Sequence, residues 1–237
     1  MSNTNTKSTP NNLQVLFEDN HLIAINKRSG DITQGDKTGD TPLSDIVKAY
    51  IKVKYNKPGD VFLGTIHRLD RPVSGVILFA KTSKALTRMT VAFKDKTPQK
   101  TYWAVVEQEP KETEKTLIQY LQKNSKTNKS IAFTYERSDA KRCELDYILK
   151  GKSDRYYYLE VNPKTGRHHQ IRVQLSTNGM IIKGDLKYGA KRPNKDGSIH
   201  LHAKKLRFEH PVSKETMTVT APTPKEVLWQ DFESIMR

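Results

Sequence analysis

The sequence has few of the features that mark secreted, membrane or disulfide-bonded proteins. Its 237 residues include one cysteine, Cys143, which excludes an intramolecular disulfide. No run of about 18 apolar residues occurs, so no membrane-spanning helix is expected. Residues 1–12 contain Asn, Thr and Ser but no apolar segment, which predicts a disordered tail rather than a signal peptide. These absences favour a cytoplasmic protein without a membrane partner.

Acidic residues are also scarce relative to basic ones. Lys and Arg number 41 against 26 Asp and Glu, which gives a net charge of +15. Such an excess attracts polyanions over long distances, and nucleic acid is the usual partner of a strongly basic protein. The charge alone leaves a solvated lysine surface and binding to anionic lipid open as alternatives.

Apolar periodicity predicts a strand-rich chain with interspersed helices. The strands are expected at 13–17, 22–26, 76–80, 101–107, 143–149, 156–161, 201–208 and 217–220. The helices are expected after Pro42, after Thr82 or Ser83, at 168–177, and from Pro224 onward. Because the strands lack a βαβ rhythm and no linker is visible, we predict a single α+β domain over residues 13–237. Its sheet should be large, mixed and mainly antiparallel, with flanking helices and loops.

Several local details can also be predicted. Thr41 should cap the first helix, and the last helix should bury Val227, Leu228, Phe232 and Ile235. Residues 123–130 look like a basic, mobile loop. Cys143 lies in an alternating run, where a packed core thiol is expected rather than a nucleophile.

The segment from Thr65 to Lys81 is the richest in chemical groups. It contains His67-Arg68-Leu69-Asp70-Arg71-Pro72-Val73-Ser74-Gly75 directly before an apolar run. A carboxylate is thus placed among cationic side chains on a turn that a buried strand can brace, as in many active sites. The same pattern fits a surface Arg–Asp pair, which is common and nearly neutral in energy.

His-Arg-Leu-Asp, followed by a hydroxyl-Gly turn and an apolar strand, resembles the signature of the RluA-type pseudouridine synthases. Further motifs support the resemblance in the expected order. They are Phe17–Lys27, the Lys100-x-Tyr102 strand, Gly166-Arg167-His168-His169-Gln170-Ile171-Arg172, Gly184-Asp185 with Tyr188-Gly189, and Leu201-His202-Ala203 with His210-Pro211 and Ala221-Pro222. The likeness covers roughly residues 13–224. Departures from it include Arg28, Val73, His168 and Gln174.

The resemblance implies a pseudouridine synthase fold and an isomerase that converts uridine in RNA to pseudouridine. Asp70 is implied as the catalytic carboxylate, which adds to the base, attacks the sugar or removes a sugar proton; the sequence leaves these routes open. No cofactor or metal is expected, because the same atoms are reassembled. Glycosidases use two carboxylates on a comparable bond, but here the leaving base is reused and one can suffice.

The family match assigns roles to further residues. It implies Arg172 as the cation that keeps Asp70 ionised, and Tyr102 as the ring that stacks on the uracil. Arg68 is expected to fill the gap that a flipped base leaves in the RNA. We also predict RNA contacts for Arg167, His169, Gln170 and Ile171, and for His67, which should mainly order its loop.

Two other classes fit parts of the sequence. A metal-dependent hydrolase could be built on His168, His169, His200 and His202, but their spacing matches no established zinc site. A non-catalytic RNA-binding protein or RNA chaperone fits the charge equally well, but has no need of the full motif set. We expect a monomer that acts on structured RNA, ribosomal or transfer, without an obligate protein partner.

Overall fold

The computed structural model describes residues 7–36 and 38–236. In chain order, the strands and helices are β1 (Val15–Glu18), β2 (Leu22–Lys27), α1 (Leu43–Lys54), β3 (Gly64–Thr65), β4 (Ser74–Ala80), α2 (Ser83–Lys94), β5 (Gln99–Val106), β6 (Glu114–Asn124), β7 (Lys129–Phe133), β8 (Lys141–Lys152), β9 (Tyr157–Pro163), α3 (Gln170–Thr177), β10 (Leu201–Glu209), β11 (Thr216–Thr220) and α4 (Val227–Ile235). A short 3-10 helix, Leu186–Tyr188, follows α3. Among the described residues, no helix has the length and hydropathy needed to cross a bilayer.

The chain divides into two compact units. The first comprises Met1–Pro98 and Ala203–Pro222, and the second comprises Gln99–His202 and Thr223–Arg237. The boundary between His202 and Ala203 falls within β10, so this strand has residues in both units. The strand pairs with a defined register are all antiparallel, in both units. The α+β class and the mainly antiparallel pairing are thus confirmed.

The first unit orders its strands β1-β2-β4-β10, with β11 paired to β10 and β3 paired to β4. Strands β2 and β4 are buried along their whole length because they are central and apolar on both faces. Helix α2 covers one face, where Ala85 and Met89 join a core with side chains of β2, β4, β10 and β11. The predicted cap of this helix is confirmed, since Thr82 Oγ1 accepts a hydrogen bond from Ala85 N at 3.2 Å.

The second unit orders its strands β5-β9-β8-β6-β7. Helix α3 packs on one face, where Val173 contacts Leu121 and Cys143. Helix α4 packs near Trp103 and Tyr158. Register and alternation place Tyr102, Val161, Tyr147 and Cys143 on the α3 face, so Trp103 and α4 lie on the opposite face.

Three local predictions need correction, and a fourth is confirmed. Pro42, not Thr41, is the N-cap of α1, and it makes no side-chain hydrogen bond. On α4 the buried residues are Trp229 and Phe232, whose rings pack with Trp103 and Tyr158, while Val227 is 66% exposed and Ile235 is 40% exposed. The expected loop at 123–130 is a shorter turn over residues 125–128, because β6 extends to Asn124 and β7 begins at Lys129. The cysteine prediction is confirmed: Cys143 is buried, and burial raises the pKa of its thiol to about 11.

The predicted disordered tail does not hold for residues 7–12. Ser8 is buried, and its hydroxyl and backbone N–H donate to Asp31 at 2.6 and 3.1 Å. Thr9 N donates to Asn12 Oδ1, which closes a turn. A polar segment is ordered here because a buried carboxylate needs its donors. The remainder of the predicted tail, residues 1–6, lies outside the described residues.

Glu18 links β1 to α1 and to the end of β4. Its carboxylate accepts hydrogen bonds from Lys54 at 2.6 Å, from Lys81 at 2.8 Å and from the Tyr55 hydroxyl at 2.9 Å. Burial raises the pKa of this carboxyl, but the hydrogen bonds from Lys54, Lys81 and Tyr55 outweigh burial and lower the pKa to about 2. The first unit thus uses one ionised side chain to hold three elements together.

Because the pKa of Glu18 is lower in the folded state, the stability it contributes is present above about pH 4.5 and is lost as the pH falls toward 2. We expect Glu18→Gln to lower the free energy of unfolding by about 2 kcal/mol at pH 7, a value typical of hydrogen bonds to charged groups. Urea unfolding at several pH values measures this. The difference in free energy of unfolding between wild type and Glu18→Gln should become smaller as the pH falls. For Glu112→Gln, an exposed control, this difference should be the same at every pH. A constant gap for Glu18→Gln would contradict the assignment.

Candidate active site

The predicted catalytic loop connects β3 to β4 in the first unit. Val73 N donates to Asp70 O at 3.0 Å, so Asp70 opens a tight turn just before the buried strand, as the sequence predicted. Asp70 is partly exposed, and Arg68 is exposed. Gly75 then enters β4 with φ of +115°, and a Cβ there would lie 2.3 Å from Ala203 O, so only glycine fits.

Lys27, at the end of β2, supports this loop through hydrogen bonds to backbone oxygens. The side chain is fully buried, and its ammonium donates to the backbone oxygens of Arg28 at 2.9 Å, Arg71 at 3.1 Å and Val73 at 2.7 Å. Three acceptors match the three N–H donors of an ammonium group. Burial lowers the pKa of Lys27 to about 7, while the charges of Asp31 and Asp70 act in the opposite direction. Lys27 therefore supports the loop and places a positive charge where it acts on Asp70.

Short hydrogen bonds fix the rest of the loop backbone. Thr33 Oγ1 donates to Leu69 O at 3.2 Å, and Ser29 Oγ donates to Pro72 O at 3.1 Å. Gly30 N donates to Arg71 O at 2.8 Å. The backbone on both sides of Asp70 is thus held by groups from one neighbouring segment, which leaves the carboxylate little freedom of position.

The three cations near Asp70 in sequence have different environments. Arg71 donates to Asp40 at 2.6 Å and to Thr38 at 2.7 Å, so it ties the loop to an adjacent segment. His67 Nε2 accepts from Leu78 N at 3.1 Å, and its ring stacks on Phe93 at 4.8 Å. This bond supports the predicted loop-ordering role of His67. Arg68 remains the exposed cation of the loop.

Tyr102 is the sequence-predicted aromatic residue of the second unit. It lies on β5, opposite Val161, and is partly buried. Its side chain is on the same face of the sheet as α3. Because α3 carries Arg172, the second unit places these two predicted residues on one face.

The turn before α3 is braced by Gln170. Its amide oxygen accepts from Thr165 Oγ1 at 2.8 Å and from Arg167 N at 2.9 Å, and its nitrogen donates to Glu144 O at 3.0 Å. Gln170 and Ile171 are both buried. These positions favour a structural role over the direct RNA contact that the sequence predicted. Arg167 is exposed, as a phosphate or nucleotide contact requires.

His169 begins α3 in the left-handed region, with φ of 53°. The Tyr188 hydroxyl accepts a hydrogen bond from Ser130 N at 2.8 Å and lies 2.8 Å from His169 Nδ1, so a hydrogen bond links the two side chains. The ring also stacks on His168 at 3.8 Å.

Arg172 forms a buried ion pair with Asp185. Nε and Nη2 each donate to a separate carboxylate oxygen at 2.7 Å, and the two side chains are 5% and 1% exposed. The guanidinium also lies 5.1 Å from the ring centre of Tyr188. Asp185 and Tyr188 lie in the motif Gly184-Asp185 with Tyr188-Gly189. No role was predicted for either residue, although this motif is the sequence signal that could have identified both.

Of the four positions where the chain departs from the family motif, two are buried and two are partly buried. Val73 and Gln174 are buried, and Gln174 Nε2 donates to Leu117 O at 3.1 Å. Arg28 donates to Asn12 O at 3.1 Å, and His168 bonds with Ser130 and Asn128. These contacts explain the departures as local packing.

The histidines that suggested a metal site have other partners. His200 bonds with Asn194 at 2.9 Å and with Glu226 at 3.0 Å, and its ring stacks on Trp229. His202 is fully buried against the same Trp229. Within the described residues, no group of three His, Cys, Asp or Glu side chains is arranged to hold a metal ion.

Comparison with protein families gives one clear match. Residues 21–177 match the family model described as RNA pseudouridylate synthase. Among curated proteins, the chain is 31% identical over 219 residues to ribosomal large subunit pseudouridine synthase C of Vibrio vulnificus (strain CMCP6). It is 31% identical over 225 residues to tRNA pseudouridine synthase C of Pectobacterium carotovorum subsp. carotovorum.

The alignments cover more of this chain than of its relatives. They include 90% and 88% of this chain, but 66% of the Vibrio protein and 58% of the Pectobacterium protein. The chain thus spans less than two thirds of the length of either. Among solved structures, human RNA pseudouridylate synthase domain containing 4 matches with a TM-score of 0.74 at 22% identity, covering 90% of this chain and 89% of that chain. This likeness confirms the predicted pseudouridine synthase fold.

The Arg172–Asp185 pair makes a prediction about stability. Asp185→Asn removes the negative charge from a buried bidentate pair, and breaking such a pair typically costs about 3–5 kcal/mol. We expect a loss of about 3 kcal/mol in urea unfolding. Asp139→Asn, which breaks an exposed pair with Arg137, is the matched control and should change the stability far less. Equal losses for the two variants would show that the buried pair has no special role.

Proposed function

The chain belongs to the RNA pseudouridylate synthase family, and on this premise we propose that it isomerises specific uridines in RNA to pseudouridine. The observation that carries the proposal is the position of Asp70. It opens a turn whose backbone is fixed by Lys27, Ser29, Gly30 and Thr33. A reacting group must be held within a fraction of an ångström of its productive position, and this loop meets that requirement.

Asp70 acts as the catalytic carboxylate in this proposal. Addition to the base, attack on the sugar and removal of a sugar proton all require its ionised form. Buried Lys27 lies in the same unit and interacts electrostatically with Asp70. The motif position of Arg172 supports its proposed role as the cation that partners this carboxylate.

Tyr102 provides the surface on which the uracil stacks. A partly buried ring on a central strand is rigid, and base–aromatic stacking contributes about 1–3 kcal/mol. His169 and Arg167, at the turn that leads into α3, are proposed to contact the same nucleotide. The hydrogen bond between the Tyr188 hydroxyl and His169 Nδ1 orients the ring of His169 for this contact.

Arg68 stabilises the RNA after the target base has left the stack. Flipping a base costs a few kcal/mol, and a planar guanidinium can replace stacking contacts while it meets phosphate charge. The exposure of Arg68, in contrast to the engaged Arg71 beside it, supports this role.

The proposed substrates are ribosomal RNA, transfer RNA or both, because the relatives' names specify one or the other. We further propose that the protein acts in the cytoplasm as a monomer, without an obligate protein partner. We also propose that residues 13–237 form a single catalytic domain. Mapping pseudouridine across cellular RNA with and without the gene would identify the target.

We expect Asp70→Asn to abolish pseudouridine formation, with a loss of at least about 1,000-fold, because an amide supplies no negative charge. RNA binding should change little and the fold should be retained, since the two side chains have the same shape. Asp60→Asn, which alters an exposed carboxylate in the preceding loop, should retain full activity.

An Asp70→Asn protein with wild-type turnover would refute the catalytic assignment. A wild-type protein that binds RNA tightly but modifies no uridine would instead favour the alternative of a non-catalytic RNA-binding protein or RNA chaperone. These two results can be distinguished, because the wild-type protein is active in the first and inactive in the second.

We expect Arg68→Ala to slow single-turnover modification of a folded RNA by about 100-fold, which corresponds to the few kcal/mol of base flipping. On a short oligonucleotide whose target uridine is already unstacked, the loss should be much smaller. Arg155→Ala removes another exposed arginine of the chain and serves as the charge control. Equal rates for wild type and Arg68→Ala on the folded RNA would rule out the proposed role.

A further inference from the structure

Lys100 is a motif residue to which the proposed function assigns no role. It lies two positions before Tyr102 on β5, so the two side chains are on the same face of the sheet. This is also the face on which α3 packs. Lys100 therefore lies beside the surface proposed to stack the target base.

The ammonium of Lys100 is partly buried without any partner. Within the described residues, it makes no hydrogen bond or ion pair with another side chain or with the backbone. Burial alone lowers the pKa of Lys100, and no carboxylate offsets this. Lys27 shows the contrast, because its buried ammonium has three carbonyl acceptors. Removing an ammonium from water without acceptors is unfavourable, so an external anion is the expected complement.

The ammonium of Lys100 lies close to Gly166. A Cβ built on Gly166 would lie 3.8 Å from Lys100 Nζ and would meet no other atom within 4 Å. Gly166 lies in the turn that Thr165 and Gln170 brace through a 2.8 Å hydrogen bond. Exposed Arg167 follows directly. The ammonium thus lies beneath a fixed, uncrowded turn with a second cation next in sequence.

We propose that Lys100 binds a backbone phosphate of the substrate RNA, next to the nucleotide that stacks on Tyr102. This inference rests on the proposed function. Lysine is a compact point charge suited to a phosphate oxygen, and phosphodiesters are the anions that RNA presents at every nucleotide. The contact fixes the position of the strand and reads no sequence.

The first test compares Lys100→Gln with wild type in RNA binding at a series of salt concentrations. Each phosphate contact contributes about 0.7 to the slope of log affinity against log salt for single-stranded RNA. We expect the slope of Lys100→Gln to fall by about that amount and that of Lys100→Arg to stay near wild type. Lys152→Gln, which removes an exposed lysine of β8, is the matched control and should leave the slope unchanged.

The second test locates the phosphate. Oligonucleotides with one neutral methylphosphonate, moved stepwise past the target uridine, should bind wild type about tenfold more weakly at one position. That penalty should disappear in Lys100→Gln and persist in Lys152→Gln. The stability of Lys100→Gln should equal or exceed that of wild type, because the folded chain gives this ammonium no partner to lose.

Two results would overturn the proposal. One is a wild-type salt slope in Lys100→Gln together with an unchanged set of methylphosphonate penalties. The other is a clear loss of folding stability in Lys100→Gln, which would mean that the amine has a structural role. Failure of the proposed function gives a different result, namely a wild-type protein that forms no pseudouridine in these oligonucleotides.

Discussion

A buried ammonium at the end of β2 provides the hydrogen bonds on which the loop that carries Asp70 depends. Lys27 donates to the carbonyl groups of Arg71 and Val73, in the turn that Asp70 opens. A hydrophobic residue at this position would leave those carbonyls without donors, and a shorter polar residue would not reach them. One side chain of β2 thus fixes the backbone of a loop that is distant in sequence.

Buried polar groups are arranged differently in the second unit. Arg172 and Asp185 neutralise each other in a bidentate pair, and Tyr188 connects that pair to His169 through the ring and its hydroxyl. Each group in this cluster orients the next, so the face that carries Tyr102 is lined by side chains with defined donor and acceptor roles. Lys100 differs from them, because its ammonium has no hydrogen-bonding or charged partner among the described residues.

Most of the strands, helix α2 and the turn at Asp70 could be predicted from the sequence, because each is specified by residues close together in the chain. Alternation and caps located most strands and helix α2, and the motif around Asp70 placed a turn before a buried strand. Lys27 could not be identified, because a lysine that ends an apolar strand usually lies in solvent, and its acceptors are 44 and 46 residues away. The face of α4 was misjudged because Trp229 is fixed by stacking on His200, a contact that periodicity does not contain. Asp185 lies in a recognisable motif, but its pairing with Arg172 could not be predicted, because it depends on the path of the chain around the short 3-10 helix.

The first unit is discontinuous along the chain, and this has a consequence for how the protein forms during synthesis. Its core requires Leu206 and Phe208 of β10 and Val219 of β11, which leave the ribosome only after about a hundred residues of the second unit. Until then, β4 lacks its neighbour β10, and its apolar edge is open to pairing with other chains. The core of the first unit therefore cannot be completed until the second unit has been synthesised, so the order in which the two units can form is set by the path of the chain.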